Sequence, residues 1–252
     1  MKKYASLHPE FALRIDRETK DAKNQKKAAK TRMHQAFGAY FEANSVKKAT
    51  AILTKTDEGI FSAEDAERVL RLHTSTRERL PHYEKFYSHV FSQTGETRCV
   101  LDLGCGFNPF SLPFFPWKID EYRAIDVDLR LMSLLNMYFG MLRLPKLAGC
   151  MDLATETPTA KADVAFMLKL FPVLEASCPG RAYSLANGLL ANWLAITFPT
   201  ISLGGKKKGM FGNYRAAFLD ALNSNALSNF GLVSETCFGN ELLFVLKRKQ
   251  IT

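Results

Sequence analysis

The chain has 252 residues, of which 47% are hydrophobic, so it is long enough to bury one large core or two smaller ones. Its formal net charge of +9 fits a polyanionic partner, although a basic surface can also serve only solubility. The five cysteines are scattered and include no CxxC pair, so we expect reduced thiols, a cytoplasmic protein and no metal site. The N-terminus lacks the apolar segment of a signal peptide, and the longest apolar stretches are too short and too interrupted to span a membrane.

Residues 1–95 have the pattern of a helical domain. Glycine is rare there, and apolar residues recur at helical spacing, as at Val69, Leu70 and Leu72. Ser62 with the acids that follow it predicts a capped helix start.

The first 35 residues are strongly basic, with ten Lys or Arg against four Asp or Glu. Spacings of three and four predict that several of these lysines share one helix face. They are Lys20, Lys23, Lys27 and Lys30. A solvated face is the ordinary interpretation of such a run, but the one-signed excess favours a surface that contacts RNA phosphates.

Residues 96–252 change to short apolar runs that predict strands. The runs are 99–103, 122–125, 164–168, 194–198, 233–238 and 242–246. Several are separated by enough residues for a helix, which predicts a mostly parallel sheet with helical crossovers. The last two runs are joined by only three residues, so we expect an antiparallel C-terminal hairpin. The fold class is therefore an α/β domain of Rossmann-like type, preceded by the helical domain.

A glycine loop, DLGCGFNP at 102–109, ends the first predicted strand. Three interpretations are open: a tight turn without a ligand, a dinucleotide site, or an S-adenosylmethionine site. A dinucleotide site would require a third glycine where Pro109 stands. S-adenosylmethionine requires no phosphate cradle, and Gly104 and Gly106 would let the backbone lie against it.

Acids at the ends of the next two strands favour the third interpretation. Asp126 follows the second run and is placed to accept the ribose hydroxyls, and Asp152 would lie at a third strand end, near the adenine amino group. At the fourth strand end, Lys169 interrupts an apolar run, which is costly unless the ammonium has a partner, reaches solvent or has a function. We expect it to position the acceptor substrate.

Six blocks of the sequence, in order, are similar to one known family. They are MHQAFGAY at 33–40, LHTSTRERL at 72–80, DLGCGFNP at 102–109, LKLFP at 168–172, FPTISLGGKKKGM at 198–210 and FGNE at 238–241. The chain therefore resembles the aminoglycoside-resistance methyltransferases of bacterial 16S rRNA. The resemblance implies a class I methyltransferase fold and transfer of a methyl group from S-adenosyl-L-methionine, giving S-adenosyl-L-homocysteine. The implied acceptor is N7 of guanine 1405 in helix 44 of 16S rRNA, on the 30S subunit.

The resemblance also implies a set of cofactor-binding residues. From the helical part it implies Tyr40, His73, Thr74, Ser75 and Arg79, with Arg79 facing the cofactor carboxylate. From the α/β part it implies Gly104, Asp126, Asp152, Leu153, Leu168 and Ser177; the glycine loop itself adds Gly106. We expect the loop with Lys206, Lys207 and Lys208 to contact the rRNA backbone, unless it is an ordinary surface loop.

The chemistry requires no general base, because guanine N7 carries a lone pair and no proton. In agreement, no histidine or paired carboxylate is evident beside the fourth strand. We expect a monomer. The alternatives are a methyltransferase for another RNA nucleotide and a ribosome-binding factor without catalytic activity.

Overall fold

The computed structural model describes residues 4–35, 41, 44–56, 61–201 and 210–250. Its N-terminal part is helical, as the sequence predicts. The helices are α1 (Pro9–Glu18), α2 (Gln25–Met33), α3 (Ser45–Leu53), α4 (Ala63–Leu70), α5 (Thr74–Arg79) and α6 (Tyr83–Thr94), with a 3-10 turn at Leu80–His82. Helix α4 begins with the expected cap, because the Ser62 and Asp65 side chains each bond the other residue's backbone N–H.

The prediction of one lysine-bearing helix face is wrong. Residues 19–24 connect α1 to α2, so Lys20 and Lys23 lie in the connection, whereas Lys27 and Lys30 lie on α2. The break has local causes: the Thr19 hydroxyl donates to the Ile15 carbonyl at 2.8 Å, and the Asn24 side chain caps α2. All four lysines remain exposed.

The second part contains a sheet with helices on both faces. The strands are β1 (Cys99–Leu103), β2 (Glu121–Asp126), β3 (Ala148–Cys150), β4 (Lys161–Leu168), β5 (Leu190–Pro199), β6 (Phe230–Phe238) and β7 (Glu241–Arg248). The helices are α7 (Leu129–Met141), α8 (Phe171–Ser177), α9 (Arg181–Gly188) and α10 (Met210–Asn223), and a 3-10 helix covers Asn108–Phe114.

The strand order is β3-β2-β1-β4-β5-β7-β6. Strands β1 to β5 pair in parallel, and β7 lies antiparallel to both β5 and β6. The predicted parallel sheet and C-terminal hairpin are therefore confirmed. Because β1, β2, β3 and β4 run in the same direction, their carboxyl ends meet at one edge of the sheet.

Helices α3, α4 and α6 share a hydrophobic core with one face of the sheet, to which Val100, Phe166 and Val245 contribute. Leu101, Ala165 and Phe244, which alternate with them, pack against α8, α9 and α10 on the other face. Helices α1 and α2 instead form a small separate cluster, with Phe11, Ile15 and Met33 at its centre.

Candidate cofactor site

A cleft lies at the carboxyl ends of the parallel strands, and helices α1, α5 and α8 contribute to its walls. It brings together most of the side chains that sequence analysis selected. These are His73, Ser75, Arg79, Gly104, Gly106, Asp126, Asp152, Leu153, Leu168, Lys169 and Ser177. Thr74 begins α5 but is not part of the lining. Tyr40, Lys206, Lys207 and Lys208 lie outside the described residues.

The glycine loop passes close beneath the centre of the cleft. Gly104 and Gly106 have φ angles of 63° and 50°, a region that other residues rarely adopt. A Cβ on Gly106 would lie 3.1 Å from the His73 ring, so the backbone and that ring are in close contact. The two glycines therefore permit both the turn and the approach of α5.

Asp126 ties this loop to the end of β2. One carboxylate oxygen accepts the Gly106 N–H at 2.9 Å, and the other accepts the Val127 N–H at 2.7 Å. Burial raises the pKa of Asp126 to about 6, although these two bonds favour the charged form. Each oxygen keeps a free acceptor position, so the carboxylate can still accept ligand hydroxyls.

The end of the cleft beside β3 is apolar, with Phe11, Val127 and Leu153 in its lining. Asp152 lies in this region and is almost completely buried. Its carboxylate accepts hydrogen bonds from Arg14 of α1, at 2.6 and 3.2 Å. Arg14 could not be predicted from the sequence, because nothing local to α1 indicates a partner 138 residues away.

At the opposite end, Arg79 is buried and its guanidinium already has acidic and polar partners. Its Nε and Nη2 donate to the two oxygens of Glu241 at 3.0 and 2.6 Å, and its Nη1 donates to Asn108 at 3.0 Å. These bonds use three of its five N–H donors. Two N–H donors remain that could bind a ligand carboxylate. Contact between Arg79 and the cofactor carboxylate stays a prediction.

Lys169 is buried at the end of β4 and does not extend into solvent. Its Nζ lies 2.7 Å from a carboxylate oxygen of Glu78 and 3.6 Å from one of Glu241. The expectation of no paired carboxylates beside the fourth strand is therefore wrong. Glu78 comes from α5 and Glu241 begins β7, so the two acids meet only in the folded chain.

Neither His73 nor Glu241 is suited to proton transfer near neutral pH. Burial, reinforced by Arg79 and Lys169, lowers the pKa of His73 to about 3 and keeps its ring neutral. Burial alone would raise the pKa of Glu241, but Arg79 and Lys169 outweigh it and lower that pKa. Glu241 is therefore an ionised partner of two cations.

A second polar network, next to the glycine loop, was also not predicted from the sequence. Asn108 accepts from Arg79, Tyr83 and Tyr87, and its amide donates to Asp102 at 2.9 Å. Burial raises the pKa of Asp102 to about 6, partly offset by the bonds that it accepts. The network connects the loop to the core. Its only signal in the sequence is the presence of two polar residues, Asp102 and Asn108, beside apolar ones.

Among the described residues, no group of three His, Cys, Asp or Glu side chains could hold a metal ion. No helix in the same part of the chain is long and apolar enough to cross a membrane.

The strand order, the glycine loop after β1 and the acids after β2 and β3 define a class I S-adenosylmethionine-dependent methyltransferase fold. The model of the ribosomal RNA methyltransferase (FmrO) family matches residues 1–231, and the chain belongs to that family.

The relatives include proteins named 16S rRNA (guanine(1405)-N(7))-methyltransferase. The one from Serratia marcescens is 33% identical over 251 residues, covering 98% of this chain and 94% of the relative. The one from Micromonospora rosea is 30% identical over 235 residues, covering 90% and 84%. The crystal structure of the 16S rRNA methyltransferase RmtF with S-adenosyl-L-homocysteine has a TM-score of 0.86 at 33% identity, covering 98% of this chain and 93% of that one. The 16S rRNA methylase RmtB has a TM-score of 0.81 at 29% identity, covering 99% and 94%.

Proposed function

We propose that this chain is an S-adenosylmethionine-dependent 16S rRNA (guanine(1405)-N(7))-methyltransferase. The observation that carries the proposal is the cleft itself, in which a glycine loop and two acids at successive strand ends meet Arg79 and Lys169. Relatives of that name, which align with nearly the whole chain, support the choice of reaction. The physiological consequence is aminoglycoside resistance.

The residues of the cleft fit S-adenosylmethionine. The Asp126 carboxylate suits the ribose hydroxyls, and the apolar region with Asp152 suits adenine and its amino group. Arg79, held by Glu241, suits the amino-acid carboxylate because a guanidinium binds carboxylates through paired donors. When bound, the cofactor supplies a methyl group made electrophilic by its sulfonium.

The protein's contribution to catalysis is positioning. Guanine N7 has no proton to remove, so the reaction does not require a general base. The target base must leave the helix stack to reach the cleft. We propose that Lys169 positions the guanine by contacting O6 or a phosphate. Contact with N7 would be unfavourable, because the methylated ring becomes positively charged.

The basic N-terminal surface is the proposed contact with rRNA. Four exposed lysines carry this proposal: Lys20 and Lys23 lie in the connection between α1 and α2, and Lys27 and Lys30 lie on α2. We propose that the helical residues 1–95 bind helix 44 and the 30S subunit, together with Lys206, Lys207 and Lys208, whereas residues 96–252 provide the methyltransferase domain. The enzyme would act as a monomer in the cytoplasm.

The test is transfer of a radiolabelled methyl group from S-adenosylmethionine to 30S subunits, free 16S rRNA and 50S subunits in parallel. Reduction and aniline cleavage of the product then locate any N7-methylguanine. We expect label in 30S subunits alone, one cleavage at guanine 1405, and no label with the Asp126→Ala variant. Label at another nucleotide would retain the enzyme class and reject the target. Cofactor binding without label in any of the three substrates would retain the fold and reject the acceptor, whereas failure to bind the cofactor would favour a non-catalytic ribosome-binding factor.

A further inference from the structure

Helix α1 supplies a charged side chain to the cleft of the methyltransferase domain. The side chain of Arg14 is 15% exposed and that of Asp152 is 3% exposed, so their ion pair is largely removed from solvent. Arg14 Nε lies 2.6 Å from Oδ2 and Arg14 Nη2 lies 3.2 Å from Oδ1. This two-point contact fixes the plane of the carboxylate as well as its charge.

The position of Arg14 is determined by the fold. Just before α1, the His8 N–H donates to the Val127 carbonyl at 2.7 Å, and the Leu129 N–H donates to the Ser6 carbonyl at 2.8 Å. The chain is thereby attached to the segment that follows Asp126. Arg14 also lies over the Phe11 ring, at 5.2 Å from its centroid.

Further contacts hold the guanidinium of Arg14 in place. Its Nη1 donates to Glu18 at 2.6 Å, so it is held on both sides. The charged form of Arg14 is favoured: burial alone would lower its pKa, but Asp152 and Glu18 outweigh burial and raise it.

The hydrogen-bonding capacity of Asp152 leaves room for one further donor. A carboxylate has about four acceptor positions. Arg14 fills two of them, and the Ala154 N–H fills a third at 3.1 Å. A purine in the adjoining apolar region could offer one amino N–H to the remaining position. A purine with a carbonyl in place of the amino group could not form this hydrogen bond, because the carbonyl oxygen and the carboxylate oxygen are both acceptors.

We propose that Arg14 is a positioning residue that sets the specificity of this cleft for adenine. By holding the Asp152 carboxylate in one plane, it directs the single free acceptor position toward the exocyclic amino group. Released from Arg14, the carboxylate can rotate or bind water, and it then distinguishes less well between an amino group and a carbonyl. This inference rests on the proposed cofactor site and adds to it a residue from the N-terminal helix.

The experiment compares two ligands by calorimetry, S-adenosyl-L-homocysteine and its deaminated analogue S-inosyl-L-homocysteine. For the unmodified protein we expect a preference for the adenine ligand of about tenfold or more, because an unmatched buried charged acceptor is costly. In Arg14→Ala we expect that ratio to fall at least threefold. Arg14→Lys keeps the charge and the aliphatic stem but not the two-point contact, so its ratio should fall in the same direction.

The matched control is Arg17→Ala, which changes an arginine on the same helix whose side chain is 73% exposed. Its ratio should equal that of the unmodified protein. Equal weakening of both ligands in the Arg14 variants would overturn the proposal, since Arg14 would then only support the fold. A preference absent from the unmodified protein would also overturn it while leaving the cofactor site intact. Failure of the unmodified protein to bind S-adenosyl-L-homocysteine would instead refute the proposed function.

Discussion

Replacing Glu241 with glutamine should strongly destabilise the protein, because the change leaves a buried arginine without its counter-charge. Glu241 is 2% exposed. Its two oxygens accept from Arg79, and Oε1 also accepts from the Thr197 hydroxyl at 2.5 Å. Lys169 lies 3.6 Å from Oε2. A glutamine has nearly the same shape, so the variant tests charge rather than packing.

The expected cost follows from burial. Removing one partner of a buried ion pair typically costs about 3–5 kcal/mol, against a total stability of about 5–15 kcal/mol. With an m-value of about 2–3 kcal/mol/M, the urea midpoint should fall by roughly 1–2.5 M. Arg79 would also lose its orientation, so affinity for S-adenosyl-L-homocysteine should decrease in the fraction that remains folded.

The assay is urea denaturation followed by circular dichroism, with Glu235→Gln as the matched control. Glu235 pairs with Arg215 at 2.5 Å, but the Arg215 side chain is 45% exposed, so we expect no measurable shift in its midpoint. Replacing Arg79 and Glu241 together with methionine should restore much of the stability, but not cofactor binding. Coincident midpoints for Glu241→Gln and the control would refute the reasoning.

Three further predictions concern the ligand and the rRNA surface. Because burial raises the pKa of Asp126 to about 6, affinity for S-adenosyl-L-homocysteine should fall as the pH decreases through about 6, when the carboxyl protonates and loses acceptor capacity; calorimetry across this range measures the change. Gly106→Ala should cost about 1–2 kcal/mol in denaturation experiments, since its φ angle is 50° and its Cβ would crowd His73. Reversing the charges of Lys27 and Lys30 should weaken 30S binding by roughly tenfold or more and reduce its salt dependence, while leaving cofactor affinity unchanged.

Each of these predictions has a control in the same chain. The pH dependence of affinity should persist in Asp102→Asn and disappear in Asp126→Asn. If it disappeared in Asp102→Asn, protonation of Asp102 and not of Asp126 would be its cause. Gly212→Ala, at a helical site with open space, should not destabilise the protein. The control for the lysines is the double variant Lys161→Glu, Lys247→Glu. It reverses two charges at the end of the sheet opposite the cleft and should leave 30S binding unaltered. Equal weakening by both lysine pairs would indicate a general charge effect.

The sheet could be predicted because its signals are local. The run at 99–103 corresponds to β1 residue for residue, since a strand buried on both faces appears as an apolar segment, here interrupted only by Asp102. Asp126 and Asp152 could be placed together because the carboxyl ends of parallel strands share one edge. Residues that follow such strands are therefore the part of the cleft that one sequence reveals.

The ion pairs of the cleft could not be predicted, because their partners are distant in the chain. Arg79 and Glu241 are separated by 162 residues, and Lys169 and Glu78 by 91. No periodicity in the sequence relates such positions. They meet only because α5 packs against the ends of β4 and β7 in the folded chain. The prediction of a single lysine face was wrong for a different reason. The spacing of the lysines is regular, but α1 ends at Glu18 and α2 begins only after its cap at Asn24.

Ion pairs join the helical part to the sheet. Arg79 and Glu78 on α5 pair with Glu241 and Lys169 at the sheet edge, so two cations and two anions neutralise one another across the junction. Arg79, Lys169 and Glu241 are buried, so each would be costly without its partners, whereas the Glu78 side chain is 29% exposed. The change of pattern near residue 95 therefore marks a change of secondary structure, whereas the cleft belongs to both parts. Since the reaction requires positioning rather than a base, a rigid junction of this kind is what the chemistry demands of the protein.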